Sequence, residues 1–309
     1  MTQRVRITEV SPRDGLQAEQ AIVATVDKAR LVELVQRTGV DEVEVSSFVS
    51  PRWVPQLGDA ADLFDLIARN KPEGVCYSAL VPNGKGLEAA LAANHAAREA
   101  HGIERLIDKV AVFVAASEGF SLKNTNGTIE EVLKRFEPLI PKAHEQGLMV
   151  RGYISCIVRC PFDGDVEPVA VGDVASALLR MGVDELDLGD TIGAATPETI
   201  DPVIMEVIDR LEGRATNDFG EPTLTLHLHD TFGHARDCVQ MALELGVRSF
   251  DSSAGGLGGC PYASTGTTRA PGNISTGVLV DAIRASGYET AVDDAALFEA
   301  SEYAAGLIS

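Results

Sequence analysis

The chain has 309 residues, 45% hydrophobic and 23% charged, which suits an ordinary globular protein large enough for one α/β barrel or two smaller domains. A formal net charge of −20 argues against nucleic acid or an anionic membrane as the main partner, yet leaves room for a small anion at a locally positive site. The cysteines, at 76, 156, 160, 238 and 260, are odd in number and sparse, as expected of free thiols in a reducing compartment.

Met1-Thr-Gln-Arg-Val-Arg6 runs directly into a strand-like segment, and no apolar stretch is long enough to span a bilayer, so a cytoplasmic location is expected. A strand over 5–10 then precedes a helix over 26–37, and a strand over 42–46 precedes a helix over 60–69. The same alternation continues with 74–80 and 84–100, then 109–114 and 128–146, then 149–156 and 167–181. It closes with 185–188 and 197–211, then 222–228 and 234–245, and an eighth strand over 249–252. Helices are expected to stop at Gly39, Gly182 and Gly246, each followed by valine and the next strand or loop. A further helical stretch around 95–108 reads as a surface elaboration, and 293–309 as an additional terminal helix.

Strict β-then-α alternation predicts one (β/α)8 TIM-barrel domain over 1–309. A doubly wound open sheet is the alternative, but no Gly-rich dinucleotide fingerprint follows the first strand. In a barrel, chemistry sits on the loops after the strand ends. Those positions carry Ser11-Pro-Arg-Asp-Gly-Leu-Gln17, Leu188-Gly-Asp-Thr-Ile-Gly193, His227-Leu-His-Asp-Thr-Phe-Gly233 and Ala254-Gly-Gly-Leu-Gly-Gly-Cys-Pro-Tyr-Ala263, with Glu44 inside the second strand. Alternate strand residues share a face, so His227 and His229 present two imidazoles together. That pair suits a divalent metal if further ligands converge on it. Alone it is a weak signal, as polar strand ends often carry such pairs. His234, at a helix start, and His95, His101 and His144, in helical stretches, read as solvent-facing.

These motifs, with Ser47-Phe-Val-Ser-Pro-Arg-Trp-Val-Pro55, Arg151-Gly-Tyr-Ile-Ser-Cys156 and Gly272-Asn273, occur in one order along nearly the whole chain. Together they closely resemble the hydroxymethylglutaryl-CoA lyase family, a branch of the metal-dependent TIM-barrel aldol and Claisen lyases. The resemblance implies a divalent ion, Mg²⁺ or Mn²⁺, held by Asp14, His227, His229 and Asn273. It implies an acyl-CoA substrate cleaved to acetyl-CoA and acetoacetate, with Arg13 stabilising the enolate oxygen and Cys260 protonating the enolate carbon. His227 is also implied in proton transfer, Glu44 and Asp190 in orienting Arg13 or the metal ligands, and a homodimer or higher homo-oligomer as the assembly.

The chain departs from the family pattern at four places. Gln20 stands where a lysine near the CoA phosphates is common, and the chain ends at Leu307-Ile-Ser309 without a basic tail. The segment 263–272 is long, and Thr276-Gly277-Val278 replaces Thr-Glu-Asp. A lyase for a citramalyl-CoA or a longer-branched glutaryl-CoA therefore stays open beside the methylglutaryl substrate. A condensing synthase lacks its usual C-terminal regulatory region here, and a non-enzymatic metal-stabilised barrel would not need these polar groups at successive strand ends.

Overall fold

A computed structural model describes residues 3–259 and 271–308, and in it eight parallel strands close into a barrel. The first five are β1 (Arg6–Glu9), β2 (Glu42–Ser47), β3 (Cys76–Leu80), β4 (Lys109–Ala115) and β5 (Met149–Ser155). A short antiparallel hairpin of β6 (Arg159–Cys160) and β7 (Gly164–Asp165) follows, then β8 (Glu185–Asp190), β9 (Leu224–Leu228) and β10 (Ser249–Ser252) complete the ring. The cyclic order is β1-β10-β9-β8-β5-β4-β3-β2, with β1 paired to both β2 and β10. This is the expected (β/α)8 barrel.

Around it lie α1 (Thr25–Val35), α2 (Ala60–Ile67), α3 (Gly84–His101), α4 (Glu118–Thr125), α5 (Ile129–Phe136) and α6 (Leu139–Glu145). They are followed by α7 (Pro168–Met181), α8 (Pro197–Arg210), α9 (Ala235–Glu244), α10 (Thr276–Ala285) and the terminal α11 (Asp294–Gly306). The Tyr303 hydroxyl of α11 reaches the backbone oxygen of Asp27 in α1. No helix among the described residues is long and apolar enough to cross a membrane.

Local chemistry explains where the helices differ from expectation. The single helix expected over 128–146 is two, because Pro138 has no N–H to continue the ladder. Thr128 opens α5 with a reciprocal capping box to Glu131. The stretch expected as a separate helix around 95–108 is the end of α3, stopped by Gly102 in the left-handed region. Beyond it, Asn94 accepts the backbone N–H groups of Leu106 and Ile107, which tucks 103–108 under the barrel. His101 is half-buried rather than exposed and accepts from Arg69 Nε, whereas His95, His144 and His234 do face solvent. Helices α4 and α10 had no counterpart in the sequence reading; Ser275 caps α10 by accepting from Val278 N–H.

Side-chain alternation sorts the barrel into two interiors. Val43, Val45, Ile154, Leu186, Leu188, Leu226 and Phe250 point outward and are buried beneath the helices in one apolar core. The inward positions of the same strands carry Glu42, Glu44, Lys109, Arg151, Glu185, Asp187, His227 and Asp251, all buried. Lys109 Nζ lies 2.7 Å from Glu42, 2.6 Å from Glu185 and 3.1 Å from Glu221. Barrel interiors are usually filled by branched apolar residues. Burying a charge is costly unless it is paired, and here each cation sits among carboxylates.

Candidate active site

After β1 the backbone makes one wide π-helical turn over Ser11–Gly15, closed by Gly15 N–H to the Val10 carbonyl at 3.1 Å. Pro12 occupies the first turn, where a missing N–H costs nothing. The turn carries Arg13 and Asp14 inward over the C-terminal end of the barrel. Arg13 Nε donates to Glu44 Oε2 at 2.6 Å, and Arg13 Nη1 lies 2.5 Å from Asp14 Oδ1. The Arg13 guanidinium also sits 5.6 Å from the centre of the Tyr153 ring. Burial opposes its charge, but Glu44 and Asp14 hold it protonated above the ordinary arginine range.

His227 and His229, at and just beyond the end of β9, face each other with 3.3 Å between their Nε2 atoms. Asp14 Oδ2 lies 3.9 Å from His227 Nε2 and 4.0 Å from His229 Nε2. Residues 272–274 run beside 228–230, with Ile274 N–H donating to the Leu228 carbonyl, and a single bridge pairs Asn273 with His229. From there Asn273 Nδ2 donates to Asp14 Oδ2 at 2.9 Å and to the Leu257 carbonyl at 3.1 Å, leaving Oδ1 uncommitted by those bonds. The sequence reading and the structure thus place the same four residues together. A β-carbon on Gly258, whose φ is +105°, would lie 2.5 Å from Asn273 Nδ2. Only glycine tolerates both that conformation and that approach.

The electrostatics of this group favour a cation. Burial raises the Asp14 carboxyl, but Arg13, His227 and His229 around it hold it below the usual carboxylate range. His229 is pushed down to about 4 by burial and by its neighbour His227, so it is neutral at pH 7. His227 is moved up: burial lowers it, but its Nδ1 is 3.0 Å from Asp251 Oδ2, and Asp14 adds to the effect. A carboxylate and two imidazole nitrogens therefore converge. Ligands about 2.1 Å from one small divalent ion lie about 3.0 Å apart when adjacent and about 4.2 Å apart when opposite. The observed separations of 3.3, 3.9 and 4.0 Å fall in that interval, so the donor set fits such an ion. Two other acidic groupings among the described residues do not compete. Lys109 sits among Glu42, Glu185 and Glu221, and Arg151 is 3.3 Å from Asp251 and 3.5 Å from Asp187.

Glu44 lies where the sequence reading put it, against Arg13. Among the described residues, the Asp190 side chain makes its hydrogen bonds to the backbone, while its carboxyl also interacts electrostatically with His227. It accepts the N–H groups of Ala194 and Ala195 at 3.0 and 2.8 Å, fastening the turn that leads into α8. Burial moves its pKa up to about 6 despite those two donors. Cys260 and most of the long segment 263–272 fall outside the described residues. Gln20 is exposed in the loop after β1, and Gly277 lies in the first turn of α10 with open space where a side chain would project. Arg151 and Tyr153, which the sequence marks only as part of a motif without a role, and Asp251, which it does not mark, contribute to the site. Their signal was present: parallel strands covered on both faces read as apolar runs, so inward charges there are anomalies.

Residues 4–303 match the HMGL-like family model. The chain belongs to the HMGL-like family. A family relative from Pseudomonas aeruginosa, a 3-hydroxy-3-isohexenylglutaryl-CoA/hydroxymethylglutaryl-CoA lyase, is 43% identical over 307 residues, 98% of this chain and 92% of its own length. The crystal structure of the HMG-CoA lyase of Brucella melitensis superposes on this HMGL-like barrel with a TM-score of 0.88, at 42% identity over 99% of each chain. An HMG-CoA lyase of Acinetobacter baumannii, solved with coenzyme A and 3-methylmalate, matches with a TM-score of 0.84 at 30% identity, over 99% of this chain and 91% of that one.

Proposed function

We propose that this protein is a divalent-metal-dependent lyase that cleaves 3-hydroxy-3-methylglutaryl-CoA to acetyl-CoA and acetoacetate, in the cytoplasm. The observation that carries the reading is the convergence of Asp14, His227 and His229 beside the Arg13–Glu44 pair. Asn273 joins the ligands through Oδ1, the amide atom not bonded to Asp14 or Leu257. A cation held there would acidify the substrate's tertiary hydroxyl and fix its orientation.

Transfer of the acidified hydroxyl's proton to solvent water turns C3 into a ketone as the C2–C3 bond breaks, and the electron pair of that bond leaves as an enolate on the thioester. Arg13, permanently charged and braced by Glu44, stabilises the enolate oxygen. Cys260, in the glycine-rich stretch that resembles the lyase family, delivers a proton to C2 and releases acetyl-CoA. The role of His227 is ligation rather than proton transfer. Its Nδ1 is bonded to Asp251, and a lone pair on Nε2 spent on a cation accepts no proton. Magnesium or manganese matches the mixed carboxylate, imidazole and amide donors.

A second reading is a lyase for a longer-branched 3-hydroxy-glutaryl-CoA, favoured by the name of the Pseudomonas aeruginosa relative. The test is acetyl-CoA release from both thioesters by purified enzyme, with Mg²⁺ or Mn²⁺ and again with excess chelator. Chelator-sensitive cleavage of the methylglutaryl substrate is the expected result. Release from the longer branch alone favours the second reading, and release from neither, with either ion, refutes the proposed activity.

A further inference from the structure

A line of ion pairs runs through the barrel from its N-terminal end to His227. Arg6 Nη2 lies 2.9 Å from Glu221 Oε1, and Glu221 Oε2 lies 3.1 Å from Lys109 Nζ. Lys109 Nζ is 2.6 Å from Glu185 Oε2, and Glu185 Oε1 is 2.9 Å from Arg151 Nη2. Arg151 Nη1 reaches Asp251 Oδ1 at 3.3 Å, and Asp251 Oδ2 reaches His227 Nδ1 at 3.0 Å. The two oxygens of Asp251 are thus divided: one faces a guanidinium, the other an imidazole. The Tyr153 hydroxyl, 3.3 Å from Oδ2, adds a second contact on the imidazole side.

We propose that the upper end of this line is a positioning device in which Arg151 fixes the orientation of Asp251, and Asp251 fixes His227 as the Nδ1–H tautomer. The Nε2 lone pair is then left pointing at Asp14 and His229. A neutral imidazole has one N–H, and its place is set by the partner of the other nitrogen. A carboxylate accepts only, so Asp251 requires the proton on Nδ1. Arg151 has no lone pair to offer, so it also demands an oxygen. Asp251 and Arg151 are positioning residues: neither reaches the space between Asp14 and the Nε2 atoms, and both act through the ring of His227.

The arrangement makes an unusual prediction for Asp251→Asn. Arg151 captures the amide oxygen, which turns the NH₂ group toward His227. Nδ1 must then accept, and the proton moves to Nε2, where it blocks the lone pair. In metal-free protein at alkaline pH, imidazole ¹⁵N spectra are expected to show His227 switching from the Nδ1–H to the Nε2–H form. Mn²⁺ affinity, measured by calorimetry, is expected to fall by about 10- to 100-fold, the usual effect of losing such a support.

Adding Arg151→Met frees the amide to rotate and offer its oxygen to Nδ1–H. The double variant is expected to regain the original tautomer and most of the affinity. A merely structural role predicts the reverse, with the double variant worse than the single. Lys109 still serves Glu42 and Glu185 at 2.7 and 2.6 Å in that variant; if it nonetheless fails to fold, the D251N spectrum decides alone. Retention of Nδ1–H in D251N, or Mn²⁺ affinity within twofold of wild type, overturns the proposal. The affinity arm rests on the metal reading above. Absence of Mn²⁺ binding by the wild-type protein would refute that reading, while the metal-free spectra test the tautomer independently.

Discussion

Asp14→Asn is expected to lower kcat/KM for 3-hydroxy-3-methylglutaryl-CoA by about 10³-fold or more, corresponding to the several kcal/mol that a bound divalent ion supplies. Asp14 is the only anionic member of the group it forms with His227 and His229. Its loss removes the charge that balances a cation between two neutral imidazoles. It also reverses a hydrogen bond. Asn273 Nδ2 donates to Asp14 Oδ2, and an amide whose oxygen faces Arg13 would meet that donor with another donor. The variant should therefore lose metal affinity through charge and through misorientation of Asn273. Steady-state kinetics with Mn²⁺ titrated across several decades checks both. A loss of less than tenfold at every metal concentration would remove Asp14 from the ligand set.

Arg13→Met is expected to lower kcat by about 10²- to 10³-fold with KM within a few-fold of wild type, the pattern for a group that acts on charge developing in the transition state. Arg13→Lys is not expected to restore the rate. The guanidinium meets Glu44 through Nε and Nη2 and Asp14 through Nη1, a fork that one ammonium cannot reproduce. Methionine also leaves Glu44 buried without its cation, which costs stability by about 3–5 kcal/mol. The lysine variant keeps a charge there and separates the two effects. Wild-type kcat in folded R13M would mean that Arg13 only supports the fold, and wild-type kcat in R13K would mean that a point charge suffices.

The fold was legible because the alternation of β-branched and amphipathic segments repeats seven times before an eighth strand, and helix ends carry their glycines. Gly182, at φ +95°, caps α7 as Met181-Gly182-Val183 implies. What escaped were elements decided by single residues, such as the break at Pro138 and the capping of α10 by Ser275. Among site residues, His227 and His229 stood out as alternate positions at a strand end, whereas Asp14, Asn273 and the role of Arg13 came only with the family resemblance. Glu44 was visible as a charge inside a strand. Asp251 sits in a four-residue strand, Ser249–Ser252, too short for its alternation to mark which face it points to. For Asp190 the sequence could not show the two backbone donors that its carboxylate accepts, because they come from the turn that follows its strand.

The most direct check of the metal centre is anomalous diffraction at the manganese edge from crystals equilibrated with Mn²⁺. A single strong peak about 2.0–2.4 Å from Asp14, His227 Nε2 and His229 Nε2 is the predicted outcome. A peak elsewhere in the barrel, or none at saturating Mn²⁺, would contradict it.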